Sequence, residues 1–139
     1  MASIRNHVTR DVIALEASTP SREAARLMTD RQIGSIAVRE AGKITGLVTE
    51  RDLVIAVVAR GGDGTLPIRE AMRRDVPRIG ADATEADASR LMRENTTRHL
   101  LVEEGGKVVG IVSMRDIIQL MLDEKQYVIE QLHTYISGV

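Results

Sequence analysis

Apolar residues recur along the chain in short groups whose spacing predicts alternating strands and helices. Segments 24–28 and 88–92 place Ala, Leu and Met on one helix face. Runs rich in Val, Ile and Leu flank both segments and predict short strands. The predicted strands are residues 12–15, 35–39 and 43–48, followed by 76–79, 99–103 and 107–112. Second helices are predicted over residues 50–59 and 114–122. Tight turns at 41–42 and 105–106 contain Gly, which readily adopts the positive φ of a short hairpin.

The predicted strands and helices occur in the same order twice along the chain. A shift of 64 residues aligns the halves without a gap, and 12 of 36 positions are identical between 19–54 and 83–118. Unrelated chains of ordinary composition would match at roughly 2. We therefore predict two pseudosymmetric β-α-β-β-α repeats, over residues 4–60 and 68–122, joined by the stretch RGGDGTLP. The predicted fold class is α/β in the broad sense, of the α+β type.

A further amphipathic helix is predicted after the second repeat, over residues 124–137. Its apolar face comprises Val128, Ile129, Leu132, Tyr135 and Ile136. A helix outside a complete repeat must bury such a face, either on its own module or on a second chain. Both interpretations stay open from the sequence, and the second predicts a homodimer.

The composition argues against several classes of function. With 19 basic and 20 acidic residues the formal charge is −1, which gives no general attraction to nucleic acid or to an anionic membrane. No cysteine is present for disulfides or thiolate chemistry. The longest apolar run, residues 53–59, is too short to span a bilayer, and the first residues lack the apolar stretch of a signal peptide. We therefore expect a cytoplasmic protein.

Aromatic side chains are almost absent. The chain has no Phe and no Trp, and its only aromatic residues are Tyr127 and Tyr135. The core must therefore be built from Ile, Val, Leu, Met and Ala. A flat ligand would be held between aliphatic side chains, because almost no ring is available to stack on it.

The most specific repeated motif is GLVTERD at 46–52, which returns as GIVSMRD at 110–116. In both copies a hydroxyl residue precedes an aspartate by three positions, as Thr49 with Asp52 and as Ser113 with Asp116. That is the spacing of a helix capping box, and capping accounts for part of the pattern.

The same motif also suits a nucleoside. A carboxylate can accept hydrogen bonds from both ribose hydroxyls, while a hydroxyl and free backbone N–H groups at a helix start receive sugar or phosphate oxygens. Gly46 and Gly110 would allow the backbone to approach such a ligand closely. These features describe a nucleoside pocket more readily than a catalytic one.

On these motifs the chain resembles a tandem pair of CBS domains. The resemblance rests on ARLM, IGSIAV and GKITGLVTERDL in the first copy, and on SRLM, TRHLLV and GKVVGIVSMRDI in the second. It covers nearly the whole chain, and the layout is similar to small bacterial stand-alone CBS-pair proteins. It implies one module with two clefts related by a pseudo-two-fold axis, commonly paired into a disc-like dimer. Such modules often bind AMP, ADP, ATP, S-adenosylmethionine or a nicotinamide dinucleotide, and they usually regulate without catalysing.

The resemblance implies roles for individual residues. Asp52 and Asp116 match the ribose-binding aspartate, and Thr49 and Ser113 match the accompanying hydroxyl. Aliphatic residues match the strand segments that enclose the adenine: Val12, Ile13, Leu15, Ile36 and Val38 in the first copy, and Val76, Pro77, Ile79, Leu100 and Val102 in the second.

The two copies differ at the start of their central strands. The second copy has Arg98 and His99 where the first has Gly34-Ser35. In the family a basic pair here frequently approaches the ligand phosphates; the alternative is a solvated arginine beside a packed histidine. Arg51 and Arg115 lie in first helical turns, where the helix dipole disfavours a cation, and this indicates a nearby phosphate or acidic partner; a surface salt bridge is the alternative. The asymmetry predicts unequal occupancy of the two clefts.

Two alternatives oppose this interpretation. The three histidines are scattered and no HExxH, GxSxG or P-loop spacing occurs, so we expect neither an enzyme nor a metal site. A structural or interaction module with vestigial clefts would keep the capping hydroxyls but would not need Asp52, Asp116 or Arg98. We expect any regulated enzyme or channel to be a separate chain.

Overall fold

Short strands form two three-stranded sheets in the computed structural model, which describes residues 2–138. The strands are β1 (Ala14–Glu16), β2 (Ser35–Glu40), β3 (Lys43–Thr49), β4 (Arg78–Gly80), β5 (His99–Glu104) and β6 (Lys107–Ser113). Each sheet is mixed: β1 runs parallel to β2 and β4 parallel to β5, while β2–β3 and β5–β6 are antiparallel. The sheets confirm the predicted fold class.

Both hairpins close through turns of positive φ. The two turn residues have φ of 49° and 77° in the first hairpin, and of 57° and 78° in the second. Three of these residues are glycines, and the fourth is Ala41. The hairpin strands agree with the predicted ones to within one residue, whereas β1 and β4 begin two residues later than predicted. In β1 the pairing starts where Ala14 lies opposite Ala37.

In each sheet one helix connects the two parallel strands. These helices are α1 (Ser21–Arg31) and α3 (Glu85–Glu94). The Thr84 hydroxyl caps α3 by accepting a hydrogen bond from the Asp87 N–H. The buried Ser21 is the first residue of α1 and donates its hydroxyl proton to the Leu66 carbonyl oxygen at 2.6 Å.

The second helix of each repeat differs from the prediction. In the first repeat α2 (Glu50–Leu53) continues as a π-helical stretch, Val54–Ala59, instead of a uniform α-helix. The Arg60 N–H donates to the Ile55 carbonyl at 2.9 Å, which is the five-residue spacing of a π-turn. In the second repeat α4 (Met114–Ser137) joins the predicted repeat helix and tail helix into one, because no Gly or Pro interrupts it. No helix within residues 2–138 has the length and apolarity needed to cross a membrane.

The chain divides into two units that do not follow the repeat order. The first unit is Asp11–Val76. The second unit contains the residues up to Arg10 together with the chain from Pro77 onward. The leading segment of each repeat is therefore packed with the other repeat.

The leading isoleucines show this exchange most clearly. Ile4 opens the first repeat, yet it is fully buried in the core of the second unit. Ile68 stands at the equivalent position of the second repeat and is fully buried in the core of the first unit. Backbone bonds hold the same segments, since Thr9 pairs with Ile111 and Arg73 with Leu47.

An ion pair is repeated beside each exchanged segment. The Arg10 guanidinium donates to Glu104 at 2.7 Å in the second unit, and Arg74 donates to Glu40 in the first. The arginines are equivalent under the 64-residue shift, and so are the glutamates. The Arg74 hydrogen bond, assisted by one from Thr45, lowers the pKa of Glu40 to about 2.

Ile68→Ala should destabilise the protein, because it removes a fully buried side chain from the first core. We expect a loss of about 2–5 kcal/mol in the free energy of unfolding. Ile68→Val is the matched control and should cost about 0.5–1.5 kcal/mol. Urea denaturation measures both. Equal stability of Ile68→Ala and the parent would show that the leading segment does not hold the first unit together.

Glu40→Gln should change how stability depends on pH. The pKa of Glu40 is depressed in the folded protein, so its carboxylate stabilises the fold above the ordinary value of 4.5, and this contribution is lost as pH falls towards about 2. Denaturation curves between those pH values should therefore depend less steeply on pH in Glu40→Gln than in the parent. Glu23→Gln, on the exposed side of α1, is the control. If the free energy of unfolding of Glu40→Gln fell with pH as steeply as that of the parent, the stabilising role of the Glu40 carboxylate would be contradicted.

Candidate functional site

The repeated motif forms a capping box at the start of the second helix in the first unit. β3 ends at Thr49, whose hydroxyl accepts from the Asp52 N–H at 3.2 Å. The Asp52 carboxylate reaches back and accepts from the Thr49 N–H at 2.8 Å and from its hydroxyl at 2.9 Å. The capping prediction is confirmed.

The second unit reproduces this geometry. The Ser113 hydroxyl accepts from the Asp116 N–H at 3.2 Å, and Asp116 accepts from the Ser113 N–H at 2.7 Å and hydroxyl at 2.9 Å. In both boxes every bond to the carboxylate ends on Oδ2. The Oδ1 atoms of Asp52 and Asp116 accept no hydrogen bond from any residue within 2–138, and both side chains are partly exposed.

A third capping box, at the start of α3, provides an internal comparison. The Thr84 N–H donates to Asp87 Oδ2 at 3.2 Å and thereby lowers the pKa of that carboxyl. Here the other oxygen, Oδ1, lies 3.5 Å from the Arg90 guanidinium. The duplicated boxes therefore differ from an ordinary cap of this chain in leaving one carboxylate oxygen for an outside donor.

The start of the central strand lies beside each duplicated box. The Met114 N–H donates to the Arg98 carbonyl at 2.8 Å, and His99 pairs with Ser113 in the sheet. The Thr97 hydroxyl donates to the His99 carbonyl at 3.2 Å and fixes the strand start. The structure thus brings Arg98, His99, Ser113 and Asp116 together at one corner of the second unit.

The equivalent corner of the first unit has different charges. The Glu50 N–H donates to the Gly34 carbonyl at 3.1 Å, and Ser35 pairs with Thr49. An acidic residue, Glu50, begins this helix where Met114 begins the other. This difference was not predicted, although it is visible in the sequence where TERD of the first motif aligns with SMRD of the second.

The predicted arginines lie at the surface. Arg51 and Arg115 are exposed in the first turns of α2 and α4, and Arg98 is exposed beside them in the second unit. None of these arginines has an ion-pair partner among residues 2–138. The second corner therefore carries two arginines that make no ion pair within residues 2–138, an arrangement that suits a phosphate.

Most of the predicted adenine-contacting residues lie in the cores. Four of them are fully buried: Ile36, Val38, Leu100 and Val102. They belong to the core clusters of their own units, so any contact with a ligand would have to come from their backbones. Ile79 is 7% exposed and also in a core. Of the others in the predicted set, Val76 is buried. The partly exposed ones are Val12, Ile13, Leu15 and Pro77.

The two motif glycines have a different role from the predicted one. A Cβ at Gly46 would lie 2.1 Å from the Arg73 carbonyl oxygen, and one at Gly110 would lie 2.6 Å from that of Thr9. Glycine is needed because the exchanged leading segment passes directly over the strand. The prediction that these positions admit a ligand is wrong, since the chain itself fills the space.

No group of three or more His, Asp or Glu side chains within residues 2–138 is arranged to hold a metal ion.

Comparison with known proteins identifies relatives over the whole repeat region. A family model described as the CBS domain matches the chain twice, at residues 4–59 and 68–123. CBS domain-containing protein YhcV of Bacillus subtilis (strain 168) is 32% identical over 117 residues, which cover 84% of this chain and 84% of that protein.

Solved structures share the fold. An uncharacterized conserved protein from Pyrococcus horikoshii has a TM-score of 0.80 and 29% identity, covering 86% of this chain and 92% of that one. The CBS domain pair of protein MJ0100, solved in complex with 5′-methylthioadenosine and S-adenosyl-L-methionine, has a TM-score of 0.78 and covers 89% and 98%. At 21% identity this second likeness concerns the fold.

Gly110→Ala should destabilise the second unit, because its Cβ would lie 2.5 Å from Val8 Cγ1 and 2.6 Å from the Thr9 carbonyl oxygen. Overpacking of this kind costs about 1–3 kcal/mol. Gly80→Ala in β4 is the matched control, since a Cβ there meets nothing within 4 Å. Urea denaturation compares the two. A Gly110→Ala protein as stable as Gly80→Ala would refute the close approach.

Proposed function

Because the chain belongs to the CBS-domain family, we propose that it is a regulatory module that binds an adenosine-containing ligand and acts on a separate partner in the cytoplasm. CBS-pair modules are regulatory and often bind adenosine derivatives. The ligand classes in this proposal are AMP, ADP or ATP, NAD(P), and S-adenosylmethionine. The MJ0100 pair, which shares this fold, was solved with two adenosine derivatives bound, and this supports the choice of class.

One observation carries the proposal. In each duplicated box one carboxylate oxygen holds the helix start together while the other accepts nothing from residues 2–138. A ribose presents two adjacent hydroxyl donors, and a charged acceptor makes stronger hydrogen bonds than a neutral one. Asp52 and Asp116 can therefore bind a sugar without releasing the caps, which is why capping and ligand binding do not compete.

The second unit is the better candidate for a phosphorylated ligand. Its corner combines Asp116 for the ribose with Arg98 and Arg115 for a phosphate, and the positive end of the α4 helix dipole adds to the attraction. In the first unit Glu50 occupies the helix start and Gly34 replaces the arginine. We propose that the first unit takes an adenosine derivative of lower negative charge, or binds the same ligand more weakly.

The adenine is proposed to lie against aliphatic residues. Ile13 and Pro77 precede β1 and β4 and are partly exposed, so their side chains can contact a base directly. The buried strand residues would contribute backbone groups. This division follows from burial, because a side chain enclosed in its own core makes no contact outside it.

A structural or interaction module with vestigial sites is the second candidate. The observation that favours it is the closed capping box itself, which stabilises a helix start whether or not a ligand is present.

We further propose that the module works as a homodimer, in keeping with the exposed apolar face of α4.

Asp116→Asn should weaken nucleotide binding by about tenfold or more, since one hydrogen bond to a charged group is worth about 1.5–3 kcal/mol. Isothermal titration with AMP, ADP, ATP, NAD and S-adenosylmethionine measures it. Asp87→Asn is the matched control: it alters a capping box of the same type in the same unit and should leave the affinity unchanged.

Companion variants separate the proposed roles. Arg98→Gly, which copies Gly34 of the first unit, should weaken ATP binding more than S-adenosylmethionine binding. Equal affinities of Asp116→Asn and Asp87→Asn for every ligand, or no binding by the parent, would favour the interaction module.

A further inference from the structure

Helix α4 carries a long apolar face that no residue within 2–138 covers. Its buried residues, Ile117 and Leu120, lie near its start. From Lys125 onward every described residue of the helix is exposed. The exposed large apolar side chains of α4 are Met114, Ile118, Met121, Leu122, Tyr127, Val128, Ile129, Leu132, Tyr135 and Ile136.

These residues are arranged in a heptad pattern. The central row alternates steps of four and three residues: Ile118, Leu122, Lys125, Ile129, Leu132 and Ile136. A second row beside it contains Met121, Val128 and Tyr135, each seven residues apart. Tyr127 alone of the exposed apolar residues lies on the opposite side of the helix. Such a pattern is typical of a helix that packs along its length against another helix.

The face continues into a groove at the start of α4. The groove lies between α3 and α4 in the second unit and has a volume of about 530 Å³. Its apolar lining residues are Met92, Met114, Ile117, Ile118 and Met121. Ile118 and Met121 therefore belong both to the groove and to the helix face. An occupant of one would extend onto the other.

The charges beside the central row permit self-association. The flanking positions on the side away from Val128 are Gln119, Gln126 and His133, so no row of like charges would oppose a second copy. Lys125 is the one charged residue in the row. In a parallel pair it would face Lys125 of the second copy, whereas in an antiparallel pair it can face an isoleucine.

We infer that α4 pairs antiparallel with α4 of a second copy of this chain. A register centred on Tyr127 places Ile118 opposite Ile136, Leu122 opposite Leu132, and Lys125 opposite Ile129 of the other copy. Every position of the central row then meets another position of the same row. This inference deepens the self-association proposed above and is independent of nucleotide binding.

The same register also places a side chain of the other copy at the groove. Tyr135, which is 83% exposed, falls beside Met121 of the other copy, at the mouth of the groove. Methionine sulfur makes favourable contacts with aromatic edges. The helix is about 36 Å long, so the pairing can run along the whole exposed part of α4 and reach the groove at both ends.

Disulfide trapping tests the direction and register, because the chain has no cysteine of its own. The double variant Leu122→Cys, Leu132→Cys should form a covalent dimer on mild oxidation, seen on a non-reducing gel. Leu122→Cys alone is the control. In the antiparallel pair its two sulfurs lie about 15 Å apart along the axis, too far for a bond. A crosslinked dimer of the single variant, or none of the double variant, would overturn the inference.

Light scattering with charge variants separates this inference from the proposed function. Leu132 is 56% exposed in one copy, and Leu132→Glu should lower the measured mass from that of a dimer to that of a monomer. We expect the dissociation constant of the dimer to rise at least about tenfold, because a charge would enter the apolar row. Tyr127→Glu on the opposite side should stay dimeric. A dimeric Leu132→Glu refutes the α4 pairing while leaving another dimer possible, and a monomeric parent refutes self-association as a whole. Nucleotide titration of the same samples reports the binding function independently.

Discussion

The backbone pairing of the two exchanged leading segments is the constraint on which the rest of the structure depends. Thr9 bonds to Ile111, and Arg73 bonds to Leu47. These strands lead directly into the duplicated capping boxes, so the same pairing holds the strand that positions each candidate site. The glycine one residue before each paired residue exists because two backbones meet there. The motif suggests a ligand site in the sequence, but its glycine serves the packing of the leading segment.

The other half of the motif combines two roles in one side chain. An aspartate at the third helical position stabilises the helix start through one oxygen and leaves the second oxygen outward. The Thr84–Asp87 box shows that this outward oxygen is not a necessary result of capping, since there it lies near Arg90. The charge around each box then differs between the units. A duplicated scaffold has therefore acquired two chemically distinct corners, and this is what a module sensing more than one ligand, or one ligand at graded affinity, would need.

Local rules predicted the local structure well. The hairpins, their glycine turns and the caps follow from spacing and turn chemistry, and the structure agrees. The exchange of leading segments could not be predicted, because it is a matter of which sheet a short strand joins, and Ile4 and Ile68 look alike in sequence. The role of Gly46 was misassigned for the same reason. The continuity of α4 could have been anticipated, since no breaker separates residues 122 and 124.

The exchange also imposes an order on biosynthesis. The first unit is one uninterrupted stretch, Asp11–Val76, so it can fold on the ribosome as soon as that stretch has emerged. The residues up to Arg10 emerge before that stretch, yet their place is in the second unit, the rest of which is made after it. Because Thr9 pairs with Ile111, this leading segment can dock only after β6 has been made, so the second unit closes later than the first.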